Sequence, residues 1–131
     1  MEIIKYQFQQ HGDDRGNLTA LEEGKEIPFS IKRVYYMYDT GEGVRRGYHA
    51  HKALEQILVC VHGECKILLD DGKEKKIAHL DKPYEGIYLA HNIWREMYVQ
   101  RNDGYHWPCH RIRCRSWHSH AKRTCPPARQ Y

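Results

Sequence analysis

The sequence predicts an all-β protein, an antiparallel sandwich or barrel. Three features predict it: short runs rich in β-branched and aromatic residues, turn residues between them, and no convincing helical period before residue 99. Asp13-Asp14-Arg15-Gly16-Asn17 is a turn, followed by the apolar stretch Leu18-Thr19-Ala20-Leu21. Leu21 to Lys25 has room for a single turn of helix and no more. Ile31 to Tyr38 reads as a strand, broken by Gly41-Glu42-Gly43. Gly47 to His51 resumes an extended run, and Gln56 to Val61 forms a further strand that ends at His62-Gly63. Cys65 to Leu69 returns and closes at Asp70-Asp71-Gly72, a tight hairpin signal. Lys76 to Leu80, Gly86 to Ala90 and Trp94 to Val99 complete the series.

At 131 residues the chain has the size of one domain with one core. No run approaches the roughly 18 apolar residues of a membrane span. The start, Met1-Glu2-Ile3-Ile4-Lys5-Tyr6, lacks the basic-then-apolar layout of a secretory signal, so a cytoplasmic protein is expected. The five cysteines are odd in number and contain no Cys-x-x-Cys, which argues against a disulfide framework. Cys60 and Cys65 are expected to be reduced, packed thiols. The net charge of +4 averages two unlike regions. Residues 1–99 hold 14 Lys and Arg against 16 Asp and Glu, whereas residues 100–131 hold 7 against 1. The first region therefore has no reason to seek nucleic acid.

Gly43-x5-His49-x-His51 carries the strongest chemical signal. Strand side chains alternate faces, so His49 and His51 point the same way and can converge on one small volume. Tyr48, Ala50 and Lys52 then take the other face. An isolated His-x-His is more often a pair of half-exposed histidines, but the preceding glycine and the strands downstream favour a functional pair. With Gly63 the spacing resembles the first cupin motif, which makes the expected fold a cupin-type antiparallel jelly-roll barrel. The acidic slot of that motif holds Gln56, and Glu55, one residue earlier, would point to the opposite face of a regular strand. In the second motif, Gly86 to Arg95, Arg95 stands at the usual histidine position, and His91 lies in the turn before the strand. An amide and a guanidinium are poor ligands for a divalent ion, so the site is expected to work without metal or other cofactor.

Without a metal, His49 and His51 are available for proton transfer. Arg15, Arg33, Arg45, Arg46 and Arg95 form a cationic set that suits a phosphorylated, hydroxyl-rich ligand. For Arg45 a surface ion pair is the better reading. For Arg33 and Arg46, which flank the histidines, the surface and ligand-binding readings stand level.

At these residues the chain resembles the dTDP-4-keto-6-deoxyglucose 3,4-ketoisomerases, cupins of nucleotide-sugar biosynthesis. The resemblance covers most of residues 11–98. It rests on Arg15-Gly16, on Ile27 to Tyr36, on Arg46-Gly47-Tyr48-His49-Ala50-His51-Lys52, on Leu54 to Cys60, on Leu69 to Gly72 and on Trp94 to Met97. It implies a metal-independent homodimer acting on a dTDP-linked keto sugar, with no nucleic-acid or membrane partner. The 4-keto group would be exchanged for a 3-keto group on the route to 3-amino-3,6-dideoxy sugars of surface polysaccharides. Such a step needs a base at C3, an acid at C4 and a donor to the enediolate between them. By resemblance His49 is the base, His51 its acid or shuttle partner and Tyr35 the donor. Arg15, Arg33, Arg46, Gln56 and Arg95 would hold the substrate, with Arg15 and Arg95 flanking the sugar and bearing on the configuration at C4. Competing classes are a catalytically impaired nucleotide-sugar binder, a metal-dependent cupin such as a dioxygenase, and a zinc or nucleic-acid module centred on the C-terminus.

After Met97 the resemblance stops, so the chain divides into a cupin domain over 1–99 and an atypical basic tail over 100–131. The tail contains no Leu, Val or Phe, and Ile112 is its only branched aliphatic residue. Cys109, Cys114, His118, His120 and Cys125 could be drawn as a zinc site, but their spacing matches no common structural module. Charge and Trp content allow a nucleic-acid tail. An out-of-frame or otherwise altered C-terminus accounts for the composition and the abrupt change together. On that reading the tail supplies no barrel strand, is disordered or loosely draped, and leaves a barrel edge uncovered.

Overall fold

Apolar and polar side chains alternate along most of the chain, and the computed structural model turns that alternation into paired antiparallel strands. It describes residues 1–38, 40–41, 43–100 and 111–117, with Gln100 and residues 111–117 described as strand backbone. The strands are β1 (Ile4–Gln7), β2 (Gln10–Asp13), β3 (Gly16–Thr19), β4 (Arg33–Tyr35), β5 (Arg45–His49), β6 (Leu54–Cys60), β7 (Glu64–Asp70), β8 (Lys75–Leu80), β9 (Glu85–Leu89), β10 (Trp94–Gln100) and β11 (Arg111–Trp117). A five-stranded sheet runs β1-β9-β6-β11-β4, and a four-stranded sheet runs β5-β10-β7-β8. The β2–β3 hairpin forms a small sheet of its own. These ladders are antiparallel, as expected for the jelly roll. The segment after Leu21 makes a tight turn, with the Ile27 amide donating to the Glu22 carbonyl at 3.1 Å, and not a helix.

Two apolar layers follow from strand parity. Leu58 and Cys60 of β6, Cys65, Ile67 and Leu69 of β7, Ile87 and Leu89 of β9, and Met97 and Val99 of β10 fill the space between the two sheets. Ile57 and Val59, on the opposite face of β6, pack beneath Phe8, Ile27 and Phe29 of the N-terminal segment. Close contact there requires Gly86, because a Cβ at that position would lie 2.9 Å from the Phe8 ring. Cys60 and Cys65 are packed in the core, in line with the expectation of burial.

The structure differs from the sequence reading in three respects. The strand expected over Ile31 to Tyr38 is confined to Arg33–Tyr35, where β4 pairs with β11 at the sheet edge. Beyond it Tyr36 and Tyr38 are exposed and stack on each other, centroids 5.9 Å apart. β1 and β2, rich in polar residues, were not anticipated. The third difference is the largest. Arg111–Trp117 is a strand inserted between β6 and β4, pairing Arg111 with Cys60 and Trp117 with Leu54. The expectation of no barrel strand after residue 99 and of an uncovered edge is corrected at this point. A ladder is built from backbone N–H and C=O groups, which all seven residues of this proline-free segment supply whatever their side chains. Residues 101–110 and 118–131, including Cys109, His118, His120 and Cys125, lie outside the described residues.

Candidate active site

His49 ends β5, and β5 pairs with β10 along the four-stranded sheet. The register places Arg95 opposite His49 and Glu96 opposite Gly47, so Tyr48 is an extra residue on the β5 side, a β-bulge. His51 lies two residues beyond, and its carbonyl accepts a hydrogen bond from the Asn92 amide at 2.6 Å. That bond ties the end of β5 to the turn that opens β10. The two imidazoles meet edge to face, ring centroids 4.8 Å apart.

Arg95 is 2% exposed and joins them: its Nη2 donates to Nε2 of His49 and to Nε2 of His51, each at 2.9 Å. A guanidinium has only donors, so both Nε2 atoms must present lone pairs. His49 Nδ1 lies 2.5 Å from the Gly47 carbonyl, which can only accept, so Nδ1 carries the proton. The local hydrogen bonds therefore hold His49 as a neutral imidazole with an unprotonated nitrogen turned into the barrel. That is the resting form of a general base. The donor set does not fit a divalent ion, because a cationic nitrogen already stands within bonding distance of both imidazoles. Among the described residues no group of three or more His, Cys, Asp or Glu could hold a metal.

Gln56 is the other buried polar group facing this interior, 1% exposed and on the same side of β6 as Leu58 and Cys60. Neither its Oε1 nor its Nε2 has a hydrogen-bond partner among the described residues. A buried, unsatisfied amide is costly in an empty protein and useful in one whose ligand completes it. Glu55 points the other way, as parity predicted, and accepts a hydrogen bond from the Tyr88 hydroxyl on the outer face. Burial, and then this bond, push the Tyr88 hydroxyl well above the usual tyrosine range. Glu55 is thus a structural partner placed away from the histidines.

The remaining candidates are spread around the barrel. Tyr35 is half-buried on β4, opposite Arg113, which in turn stands opposite Leu58. Arg33 lies two residues earlier on the same strand and is exposed. Arg46 is exposed on β5 opposite Met97. Arg15 sits at the turn of the β2–β3 hairpin with a side chain 86% exposed, and it bonds to Asp13 of the same hairpin. Arg45 lies over the Tyr98 ring at 4.8 Å on the outer face, in keeping with its surface reading. His91 is exposed in the turn before β10 and stands apart from the pair. Sequence reasoning missed the bulge at Tyr48 and the tie from Asn92. A glycine inside an extended run, here Gly47, is the signal that could have found the first.

Residues 1–105 match the family described as FdtA: WxcM-like, C-terminal. The chain is 50% identical over 103 residues to a TDP-4-oxo-6-deoxy-alpha-D-glucose-3,4-oxoisomerase of Aneurinibacillus thermoaerophilus, covering 79% of this chain and 74% of that one. A 3,4-ketoisomerase from Helicobacter canadensis superposes with a TM-score of 0.80 at 40% identity, covering 92% of this chain and 86% of its own. A mutant 3,4-ketoisomerase of Thermoanaerobacterium thermosaccharolyticum, solved with TDP-4-keto-6-deoxyglucose, gives a TM-score of 0.80 at 35% identity over 90% of this chain and 82% of that chain.

Proposed function

The chain belongs to the FdtA family, and from that premise we propose that it isomerises TDP-4-keto-6-deoxyglucose to the corresponding 3-keto sugar, with His49 and His51 moving the proton. The observation that carries this reading is the triad in which the buried Arg95 donates to the Nε2 lone pairs of both half-buried histidines and so brings them together. The C3–H bond is acidified by the neighbouring C4 ketone, and His49 takes that proton. The electron pair of the broken bond forms the C3–C4 double bond of an enediolate. A proton is delivered to C4 through His51, and the C3 hydroxyl proton passes to the C4 oxygen, which leaves a ketone at C3 and a hydroxyl at C4. Atoms balance, with no net oxidation and no second substrate.

Arg95 supports two parts of this step. By donating to both histidines it keeps the imidazoles unprotonated at Nε2. When sugar displaces one of those bonds, the same guanidinium is free to turn toward the developing enediolate oxygen, where a preorganised cation is worth most. Tyr35 donates to that oxygen, and the Gln56 amide finds in the sugar the partners it lacks among the described residues. Arg33 and Arg46 suit the diphosphate. Arg15 reaches a sugar when its exposed hairpin is presented by a second copy, which fits a homodimer. A cytoplasmic location fits a nucleotide-sugar substrate, and among the described residues no helix is long and apolar enough to cross a membrane.

Mixing the purified protein with TDP-4-keto-6-deoxyglucose and resolving the products by NMR tests the reading. Wild type should form the 3-keto sugar. His49→Ala should be slower by about 10²–10⁴-fold, the usual cost of a lost general base, while still binding TDP within a few-fold. A variant that turns over like wild type would remove His49 from the mechanism.

A further inference from the structure

Among the described residues, two that are not glycine adopt left-handed backbone angles, Tyr48 at φ 54° and Asn92 at φ 60°. Such angles are uncommon for side chains with a Cβ and tend to persist where the surrounding structure enforces them for a purpose. Both flank the histidine pair. Tyr48 immediately precedes His49, and the Asn92 amide holds the His51 carbonyl. Asn tolerates this conformation well, but an aromatic residue does so less readily. Gly47, at φ 105°, has its carbonyl on His49 Nδ1, and a Cβ there would lie 2.6 Å from the Arg95 carbonyl oxygen.

Strand parity shows what the strain achieves. Arg46 stands opposite Met97, which is buried in the interior, and Gly47 stands opposite Glu96 on the outward side. A regular ladder would continue with Tyr48 opposite Arg95 and His49 opposite Trp94. Directly opposed residues share a face, so Tyr48 would enter the barrel with Arg95 and His49 would turn out with the exposed Trp94. The observed ladder instead skips Tyr48 and sets His49 opposite Arg95. One extra residue exchanges the two faces.

We propose that the Gly47–Tyr48 bulge is the positioning element of the catalytic pair: it rotates His49 into the barrel, while Tyr48 contributes only its backbone and its place in the chain. The inference rests on the ketoisomerase reading for its kinetic consequence but not for its geometry. The Tyr48 side chain, 48% exposed, makes no demand of its own on the interior.

Three variants separate backbone from side chain. Tyr48→Gly removes the ring and favours the left-handed angle, so kcat should stay within about 3-fold of wild type. Tyr48→Val keeps a side chain but resists that angle, so the bulged population should fall and kcat drop roughly 10-fold or more, with KM little changed. Deleting Tyr48 removes the extra residue and leaves His49 opposite Arg95 in a regular ladder, so the imidazole should stay on the inner face and this variant should turn over faster than Tyr48→Val. Imidazole 15N spectra give a readout independent of turnover. Wild type and Tyr48→Gly should show His49 locked as the Nδ1–H tautomer, and Tyr48→Val should show that lock weakened. If Tyr48→Gly fell as far as Tyr48→Val, or Tyr48→Val kept the His49 tautomer and its activity, the proposal would be overturned. An inactive wild type with the His49 lock intact would count against the ketoisomerase reading and leave the bulge assignment standing.

Discussion

Gln56 and Arg95 show how a polar interior is made tolerable at single positions. Arg95 is 2% exposed, and its two bonds to imidazole nitrogens supply partners that water would otherwise provide. Gln56 has no such partner among the described residues, which makes it a place where function costs stability. Replacing it by Leu, similar in volume and apolar, should raise the stability of the free protein by about 1 kcal/mol in urea unfolding. The same variant should bind the nucleotide sugar roughly 10-fold more weakly, because the ligand then loses a buried hydrogen-bonding partner. Unchanged affinity would separate Gln56 from the sugar. Much of this was legible in the sequence. The shared parity of His49 and His51, the outward turn of Glu55 and the guanidinium at the histidine position of the second motif all follow from spacing. The bulge was not, because parity was carried straight through Gly47 and Tyr48, and only the register with β10 reveals the extra residue.

Among the elements, the central strands were readable because their residue types satisfy both pattern and propensity. β6, β7 and β10 are apolar on the inner face, so side chains alone announce them. β1, β2 and β11 pair chiefly through their backbones, and side-chain patterning says little about such strands. β11 matters most, since it stands between β6 and β4 and is the strand β4 pairs with. A chain ending at Gln100 should therefore unfold at lower temperature than the full chain and aggregate through the bared edge of β6. Scanning calorimetry and light scattering on the two chains check this, and equal stability would show that β11 is dispensable. On the far side of the same sheet, Gly86→Ala forces a methyl against the Phe8 ring and Ile57. It should destabilise the protein by about 1–3 kcal/mol, the usual cost of overpacking, with the histidine site unaffected. Denaturant midpoints measure the first part and turnover the second.

The whole molecule places its chemistry by joining two sheets. β5 and β10 bring His49, His51 and Arg95 together on one wall, while β6 and β4 present Gln56 and Tyr35 from the other sheet. An apolar layer of β7, β9 and β10 residues closes the interior behind them. The charge pattern follows the same division of labour. Residues 1–99 are slightly acidic overall, yet Arg95 joins the two histidines and Arg46 lies on the strand that His49 ends, cations of the kind a diphosphate needs. The central claim is that this assembly removes a proton from C3 and delivers one to C4 of a keto sugar by way of an enediolate, with the proton-carrying groups exchanging with solvent. Turnover of TDP-4-keto-6-deoxyglucose in D2O, followed by proton NMR, tests it most directly. The account predicts a 3-keto product carrying deuterium at C4, with deuterium washing into C3 of recovered substrate, and neither in His49→Ala. Substrate recovered unchanged, with its C3 proton intact after long incubation with wild type, would contradict it.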